Sequence, residues 1–426
     1  MKEYPYWLDT LPTTQHPAAL NIQLPERVDV AIVGGGYTGL AAARQLARSG
    51  GRVIVLERET IGWGASSRNG GQVLAGMKVE PAELVRRYGE PRAKRLFAAS
   101  LEAIDALEQL IRDEAIACDY ERPGHVQAAF KPSHFAEFRE EQGLLARVFH
   151  HRVELIPREH QRRELGTDFY HGLLIDDRSG ALNPAKYVHG LAAAACRAGA
   201  MLASAVAVER VTRTVGNWSV ETSRGMIHAT DVLFATNGYT DGSAPALRRR
   251  LVPIGSYIIA TEPLSNPDAA AALPTRRVVF DSKYFLYYFR LSADNRLLFG
   301  GRAEFSQPDE ASTRRAAAIL ETAMARIFPE LARKRIDYAW SGNVAFTRDQ
   351  LPHAGVLDDA YYAAGYCGHG VAMATYLGGL IARRIAGERV DHPLLEQPFP
   401  PIPLYHGKPW FLPLVGAYYK MKDLIG

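Results

Sequence analysis

A glycine-patterned turn between a buried strand and a helix constrains this chain more than any other feature. The apolar run 28–33 is followed by Gly34, Gly36 and Gly39, and an acid, Glu57, stands after the next apolar run. In such a turn the first glycine makes the bend, the second lets backbone approach a pyrophosphate, and the third lets the helix lie close to the strand. The helix N-terminus then holds the phosphates. The pattern predicts a dinucleotide site in which Glu57 accepts both ribose hydroxyls, which disfavours NADP.

Composition excludes several classes of protein. The chain has 426 residues, 23% of them charged, and a formal net charge of +4, which gives no reason to expect nucleic acid binding. Its cysteines are Cys118, Cys196 and Cys367, too sparse for a disulfide framework or a metal site, so we expect no metal and a reducing, cytoplasmic location. The start of the chain lacks the apolar core of a secretory signal, and no apolar run reaches the roughly 18 residues of a membrane span.

The order of predicted elements indicates an α/β protein, α+β overall, with two interleaved domains. A Rossmann-type nucleotide domain is expected over 1–85, 170–250 and 341–426. A substrate domain, built on an antiparallel or mixed sheet with flanking helices, is expected over 86–169 and 251–340. Strands are predicted at 201–211, 217–222, 231–235, 251–261, 277–290, 296–303, 336–346 and 360–364, and helices near 92–118, 183–198, 309–327 and 370–386.

Four ordered motifs carry a family resemblance. They are Val33 to Leu40, Gly64 to Gln72, Ala235 to Tyr239 and Gly365 to Val371. With them the chain resembles the D-amino-acid-oxidase-like flavoprotein oxidoreductases, and within these the amine-oxidising branch that includes γ-glutamylputrescine oxidase. The motifs span nearly the whole chain, so the resemblance implies the fold of that superfamily.

The resemblance implies FAD as the cofactor, and the residues permit it. Small residues in the 64–72 loop let backbone pass close to a flavin. Arg68 would offer positive charge beside it, with a surface ion pair as the alternative. The positions assigned to FAD binding are Gly34, Gly36, Tyr37, Thr38, Gly39, Glu57, Arg58, Gly64, Ala65, Ser66, Ser67, Arg68, Asn69, Gly70, Gly71, Gln72, Val208, Thr236, Asn237, Gly238, Gly342, Gly368, His369, Gly370 and Val371.

The candidate catalytic residues come from the second sheet and from the last motif. The helix beginning near Gly370 presents free N–H groups and a positive dipole end, which would stabilise negative charge as hydride reaches the flavin. His369 is a possible proton-transfer residue, although the resemblance points to a loop histidine beside the cofactor. The remaining candidates are Tyr257, Tyr287, Tyr288 and Arg302. Strand alternation sends Tyr287 and Tyr288 to opposite faces, so only one can point at a ligand.

Departures from the family pattern concern the substrate and the electron acceptor. The basic residue that clamps an α-carboxylate beside the Gly-His-Gly turn in some branches is replaced by Gly368, Val371 and Ala372. No cysteine lies near Val344 in the sequence, so FAD is expected to be noncovalent. Leu298 stands where some relatives have an oxygen-activating lysine, which leaves dioxygen or a quinone-type acceptor open.

These observations lead to one preferred function and one alternative. The preferred function is FAD-dependent oxidation of a C–N bond in a primary or secondary amine, such as a γ-glutamylated polyamine, to an imine or aldehyde. The alternative is oxidation of an amino or imino acid of the pipecolate, sarcosine, glycine or D-amino acid type, with Arg302 as the carboxylate partner. The aromatic C-terminal tail, 410–419, either packs on the domain surface or associates peripherally with a membrane; Pro413 and Gly416 argue against a long amphipathic helix there.

Overall fold

Two eight-stranded sheets organise the chain. The structure is a computed structural model that describes residues 1–12, 22–301, 308–395 and 397–425. The first sheet has the strand order β17-β18-β11-β1-β2-β8, with β10 and β9 continuing from β11. Its strands are β1 (Arg27–Val33), β2 (Val53–Leu56), β8 (Met201–Ala203), β9 (Val208–Arg213), β10 (Trp218–Thr222), β11 (Gly225–Phe234), β17 (His353–Leu357) and β18 (Ala360–Ala364).

The second sheet has the order β16-β12-β15-β14-β13-β4-β6-β5 and is antiparallel except for the parallel pair β13 and β4. Its strands are β4 (His125–Ala128), β5 (Glu154–Ile156), β6 (Leu173–Asp176), β12 (Val252–Thr261), β13 (Val278–Asp281), β14 (Tyr287–Leu291), β15 (Leu297–Gly301) and β16 (Ile336–Phe346). A separate two-stranded ribbon pairs β3 (Gln72–Val73) with β7 (Gly180–Ala181).

Helices cover the sheets and connect their strands. They are α1 (Tyr6–Asp9), α2 (Tyr37–Arg48), α3 (Ala65–Arg68), α4 (Pro81–Asp113), α5 (Pro132–Leu144), α6 (Pro184–Arg197), α7 (Pro245–Arg248), α8 (Asn266–Ala272), α9 (Glu310–Ile327), α10 (Gly370–Ile385) and α11 (Leu412–Ile425). The α4 helix is interrupted at Gly89, whose φ is +71°, just before Pro91. Among the helices described, none is long and apolar enough to cross a membrane.

The core of the first sheet follows from the apolar run that opens the dinucleotide pattern. Val30 and Ile32 pack into one hydrophobic cluster with α2, α6 and α10, whereas Ala31 and Val33 pack into a second cluster on the opposite face. Both faces are therefore buried, as expected of a central parallel strand. This arrangement confirms the predicted mixed α/β fold with a Rossmann-type sheet.

Several element boundaries differ from the prediction. The run 201–211 is two strands, because Ala205 takes a left-handed φ of +55° between them. The predicted helix over 92–118 starts earlier and ends at Asp113. The interpretation of the tail was wrong in one respect: α11 is a continuous helix, since Pro413 stands in its first turn, where a missing N–H costs nothing. The domain boundaries stay a prediction, and α4 packs its buried side chains with α2 and α10 of the first sheet.

Candidate functional site

One large cavity opens where the parallel strands of the first sheet end. Its walls are formed by the turns after β1, β2, β11 and β18 and by the side chains that the second sheet turns toward them. Ligands of open parallel sheets bind in such crevices, at the carboxyl ends of the strands. The predicted residues that line it are Gly34, Gly36, Tyr37, Thr38, Glu57, Arg58, Gly64, Ala65, Ser66, Arg68, Asn69, Gly70, Gln72, Val208, Thr236, Asn237, Tyr288, Gly342, Gly368, His369, Gly370 and Val371.

The glycines of the first turn differ in what surrounds them. Gly34 has a φ of +109°, and a Cβ there would lie 2.8 Å from the carbonyl oxygen of Ala235. A Cβ on Gly39 would lie 2.1 Å from the carbonyl oxygen of Gly34, so this glycine lets α2 pack against the turn without lining the cavity itself. Gly36 lines the cavity, and a Cβ on it would come within 2.8 Å of Ser66 Oγ. A side chain at Gly36 would thus occupy space on the cavity wall.

Glu57 is held by the backbone on both of its oxygens. The N–H of Gly35 donates to Oε2 at 2.8 Å, and the N–H of Glu59 donates to Oε1 at 3.0 Å. Burial raises the pKa of this carboxyl above its ordinary value, although the two backbone donors act in the opposite direction. The carboxylate is therefore fixed at the cavity wall with lone pairs left for further donors.

Arg68 and Asn69 are fixed by neighbouring backbone rather than by solvent. Arg68 Nε donates to the carbonyl of Trp63 at 2.9 Å, and its guanidinium lies 4.6 Å from the centre of the Trp63 ring. Arg68 Nη1 donates to the carbonyl of Ser341 at 3.2 Å, and no ion pair of Arg68 is seen within the described ranges. Burial lowers the pKa of the Arg68 guanidinium. Asn69 accepts from the N–H of Gly71 at 2.8 Å.

The turn before α10 contributes backbone to the cavity. Gly368 has a φ of +96° with open space where a Cβ would stand, and His369 is the N-cap of α10. Gly368, His369, Gly370 and Val371 line the cavity at this helix start, and the role of their N–H groups toward the flavin stays a prediction. Cys367, which precedes Gly368, also lines the cavity. Its N–H donates to the carbonyl of Ala345 at 3.1 Å.

That position of Cys367 corrects one premise of the sequence analysis. A cysteine does lie next to the segment around Val344, because the backbone of Cys367 is hydrogen-bonded to that of Ala345, which is distant in sequence. Burial raises the pKa of the Cys367 thiol to about 11, so the thiol is kept protonated. Noncovalent attachment of the cofactor stays a prediction.

The second sheet turns one of its two adjacent tyrosines to the cavity. Tyr288 lines it and bonds through its hydroxyl to Ser256 Oγ at 2.9 Å. Tyr287 faces away, against Phe299 and Lys283, and Tyr257 is buried in the core of the same sheet. Arg302 lies outside the described residues.

Three predicted residues support the cavity from behind. Ser67 is fully buried, Gly71 packs against the carbonyl of Leu182, and Gly238 packs against Asn343. Sequence reasoning also missed several residues that line the cavity. Those with polar or aromatic side chains are Glu59, Trp63, Lys78, Tyr239, Asp241, Ser243, Ser256, Phe280, Asn343, Tyr366 and Cys367. Three of them stand inside the motifs and could have been found there: Tyr239 in the third motif, and Tyr366 and Cys367 in the fourth.

These features fit an FAD molecule. A glycine cradle stands at a helix N-terminus, a fixed carboxylate lies after the second strand, and a second helix start lies across the cavity from the sheet side. Gly36 and α2 would hold the pyrophosphate, Glu57 the ribose, and Arg68 with the Gly368–Val371 turn the flavin end.

Comparisons with known proteins agree with the geometry. The family model of the FAD dependent oxidoreductases (DAO) matches residues 29–384. The chain is 36% identical to gamma-glutamylputrescine oxidoreductase of Escherichia coli K12, covering 93% of each chain, and 35% identical to the probable oxidoreductase OrdL of Haemophilus influenzae, covering 85% of this chain and 84% of that one. Among solved structures, glycine oxidase from Geobacillus kaustophilus superposes with a TM-score of 0.76 at 20% identity, covering 86% of this chain and 97% of that one. The chain therefore belongs to the DAO family of FAD-dependent oxidoreductases and is an enzyme.

Proposed function

We propose that this enzyme oxidises the C–N bond of a primary or secondary amine that bears no carboxylate on the reacting carbon, such as a γ-glutamylated polyamine. The carbon beside the nitrogen loses a hydride and the nitrogen loses a proton, which leaves an imine that water hydrolyses to an aldehyde and an amine or ammonia. Bound FAD supplies the two-electron acceptor for the hydride. The protein's residues bind the amine, orient the C–H bond and limit bulk water.

The sheet side of the cavity is the observation that carries this proposal. The described strands and loops of the second sheet present Ser256, Phe280, Leu286 and Tyr288 to the cavity, and none of these side chains is charged. A carboxylate beside the reacting carbon would need a charged partner when it is removed from water. An uncharged amine, by contrast, fits a wall of apolar groups and hydroxyls.

Two polar features would orient the reactants. The hydroxyls of Tyr288 and Ser256 form a bonded pair that can accept from, or donate to, the substrate nitrogen. Across the cavity, the backbone N–H groups of Gly370 and Val371 lie at the positive end of α10, where they would stabilise negative charge at the flavin. The nitrogen must lose its proton before it is oxidised, because only a neutral amine has the lone pair that assists departure of the hydride.

The choice of substrate class rests on the relative from Escherichia coli, which is named for oxidoreduction of gamma-glutamylputrescine. To test it, the purified holoenzyme is mixed anaerobically with γ-glutamylputrescine, putrescine, glycine, sarcosine, L-proline and D-alanine, and bleaching of the flavin is followed by stopped flow. We expect the γ-glutamylated amine to reduce the flavin fastest, and at a rate that rises with pH until the bound amine is neutral. Faster reduction by any of the amino acids would contradict the proposal.

A matched pair of tyrosine variants tests the orientation. Tyr288→Phe removes the cavity hydroxyl and should slow flavin reduction by about 10-fold, the worth of one hydrogen bond of roughly 1.4 kcal/mol. Tyr287→Phe, the neighbour on the opposite face, should reduce at the wild-type rate. Equal losses in both variants would mean that the effect is structural.

Arg302 separates this function from amino acid oxidation. If Arg302 binds an α-carboxylate, Arg302→Ala should cost amino acid turnover about 2–5 kcal/mol, and amine turnover much less. A selective collapse of amino acid turnover, in an enzyme that otherwise prefers amino acids, would establish the alternative.

For the acceptor we propose that a quinone competes with dioxygen. Leu298, at the position of the oxygen-activating lysine of some relatives, is buried away from the cavity. Leu414, Tyr418 and Met421 of α11 form an exposed apolar stripe beside Lys422, which supports peripheral contact with an anionic membrane. Rates of reoxidation by dioxygen and by a soluble quinone, and sedimentation with anionic vesicles, test both points.

A further inference from the structure

A second cavity lies behind the 64–72 loop, called the flavin loop below, and plays no part in the proposed reaction. It encloses about 400 Å³ between α1, the start of α6 and the turn that follows β14. Its walls carry many charged side chains, in contrast to the sheet side of the cofactor cavity. Small-molecule sites of proteins start at about this size.

Arg290 is the buried cation of this cavity. The residue is only 6% exposed, and burial lowers the pKa of its guanidinium to about 10. Its Nη2 donates to the carbonyl of Leu182 at 2.9 Å, and the guanidinium lies 5.1 Å from the centre of the Trp7 ring. Its Nε is buried and bonds to none of the described residues. Arg290 lines the cavity, and a guanidinium this deeply buried is stabilised by an anion that lies beside it.

The other charges of the cavity show which anion would fit. Lys186 is paired with Asp119 at 2.9 Å, and Arg296 with Asp294 at 3.0 Å, so these four charges compensate one another. A doubly charged anion such as phosphate would face the carboxylates as well as the arginines. A singly charged carboxylate meets less repulsion.

Arg276 and Glu121 form no ion pair among the described residues, although the negative charge of Glu121 acts on Arg290. Arg276 donates to Asn295 Oδ1 and to the carbonyl of Ser292, both at 2.8 Å, but touches no carboxylate. Glu121 lines the same cavity and forms no ion pair within the described ranges. The cavity therefore offers two guanidinium groups and one carboxylate to a ligand.

We propose that this cavity binds a small zwitterion of the amino acid class, whose carboxylate lies on Arg290 and Arg276 and whose ammonium group faces Glu121. Arg and carboxylate match as planar, bidentate partners. The ammonium group is what distinguishes this ligand from a simple carboxylate. The site is separate from the cofactor cavity and does not rest on the proposed amine oxidation.

A ligand in this site would affect the flavin loop, because residues of the cavity contact that loop. Arg290 Nη2 lies 3.3 Å from where a Cβ of Gly71 would stand, and Trp7 Nε1 donates to the carbonyl of Asn69 at 2.8 Å. Asn69 and Gly70 line the cofactor cavity on the other side of this loop. A ligand on Arg290 would thus stiffen the segment that contacts the flavin, and it should retard release of FAD.

The test is equilibrium dialysis of the purified holoenzyme with radiolabelled β-alanine, a small zwitterion. We expect saturable binding of one molecule per chain, with unlabelled malonate competing more weakly than unlabelled β-alanine. Arg290→Met keeps the length of the side chain without its charge and should weaken binding by at least roughly tenfold. Arg162→Gln, which removes an exposed arginine elsewhere, should bind as the wild type does.

A second variant keeps the proposal testable if Arg290→Met does not fold. Glu121→Gln changes an exposed side chain and should weaken β-alanine without weakening malonate, so that the preference between them disappears. Unchanged β-alanine affinity in Glu121→Gln would overturn the proposal. Displacement of β-alanine, one for one, by the amine that reduces the flavin would also overturn it, because the label would then occupy the cofactor cavity.

Discussion

Replacement of Glu57 by glutamine gives the sharpest test of how the cofactor is held. The carboxylate accepts from the N–H groups of Gly35 and Glu59, at 2.8 and 3.0 Å, and keeps lone pairs for the two ribose hydroxyls. An amide in its place has one acceptor oxygen and turns an NH₂ group toward one of the backbone donors. Each ribose hydrogen bond then changes from charged to neutral and loses about 1 kcal/mol, so FAD should bind about 2 kcal/mol more weakly, roughly 30-fold in Kd.

The assay is titration of the FAD-free protein with FAD, followed by quenching of flavin fluorescence. Glu59→Gln removes a carboxylate from the same cavity wall and leaves the N–H donor of Glu59 in place, so its Kd should stay within a few fold of wild type. If Glu57→Gln bound FAD as tightly as the wild type, the ribose would not lie at Glu57.

The same carboxylate predicts a pH dependence. Its pKa is raised by burial, and only the ionised form accepts all four bonds, so FAD affinity should be lost as the pH falls through this raised value. The loss should begin at a higher pH than an exposed glutamate would give. Glu57→Gln should remove that dependence, and a pH profile that the variant shares with the wild type would exclude Glu57 as its source.

The remaining predictions concern the glycine turn at Gly36, the attachment of FAD and the stability of the protein at low pH. Gly36→Val places a side chain within contact of Ser66 on the cavity wall and should purify without flavin, whereas Gly143→Val, which has open space, should stay yellow. Acid precipitation should release all flavin from the wild type and from Cys367→Ser alike; a yellow wild-type pellet would refute noncovalent attachment. Burial lowers the pKa of His392 to about 4. The unfolded chain therefore binds a proton at this histidine more readily than the folded protein does, and the free energy of unfolding falls as the pH drops from about 6.5 toward 4. After allowance for partial exposure this is about 1–2 kcal/mol, and His392→Gln should narrow the difference between the melting temperatures at pH 7 and pH 4.5.

The sequence by itself determined the dinucleotide half of this enzyme. Apolar runs, glycines and an acid at fixed spacing act locally, because a turn that admits a phosphate has to be built from backbone conformations that neighbouring residues dictate. For the same reason the Asn183 cap of α6, whose side chain accepts from the N–H of Lys186, and the exact strands 336–346 and 360–364 were predictable from their own segments.

Only the tertiary structure decided which side chains meet across long separations. The alternation of side chains along a strand predicted that only one of Tyr287 and Tyr288 faces a ligand. The pairing of β14 with β15, and the position of Ser256 on β12, show that this residue is Tyr288. Likewise the closeness of Cys367 to Ala345 comes from a contact between separate strands and loops. The charged cavity around Arg290 is assembled from six separate segments of the sequence. Such contacts depend on how the two sheets pack together, and no local spacing in the sequence encodes that packing.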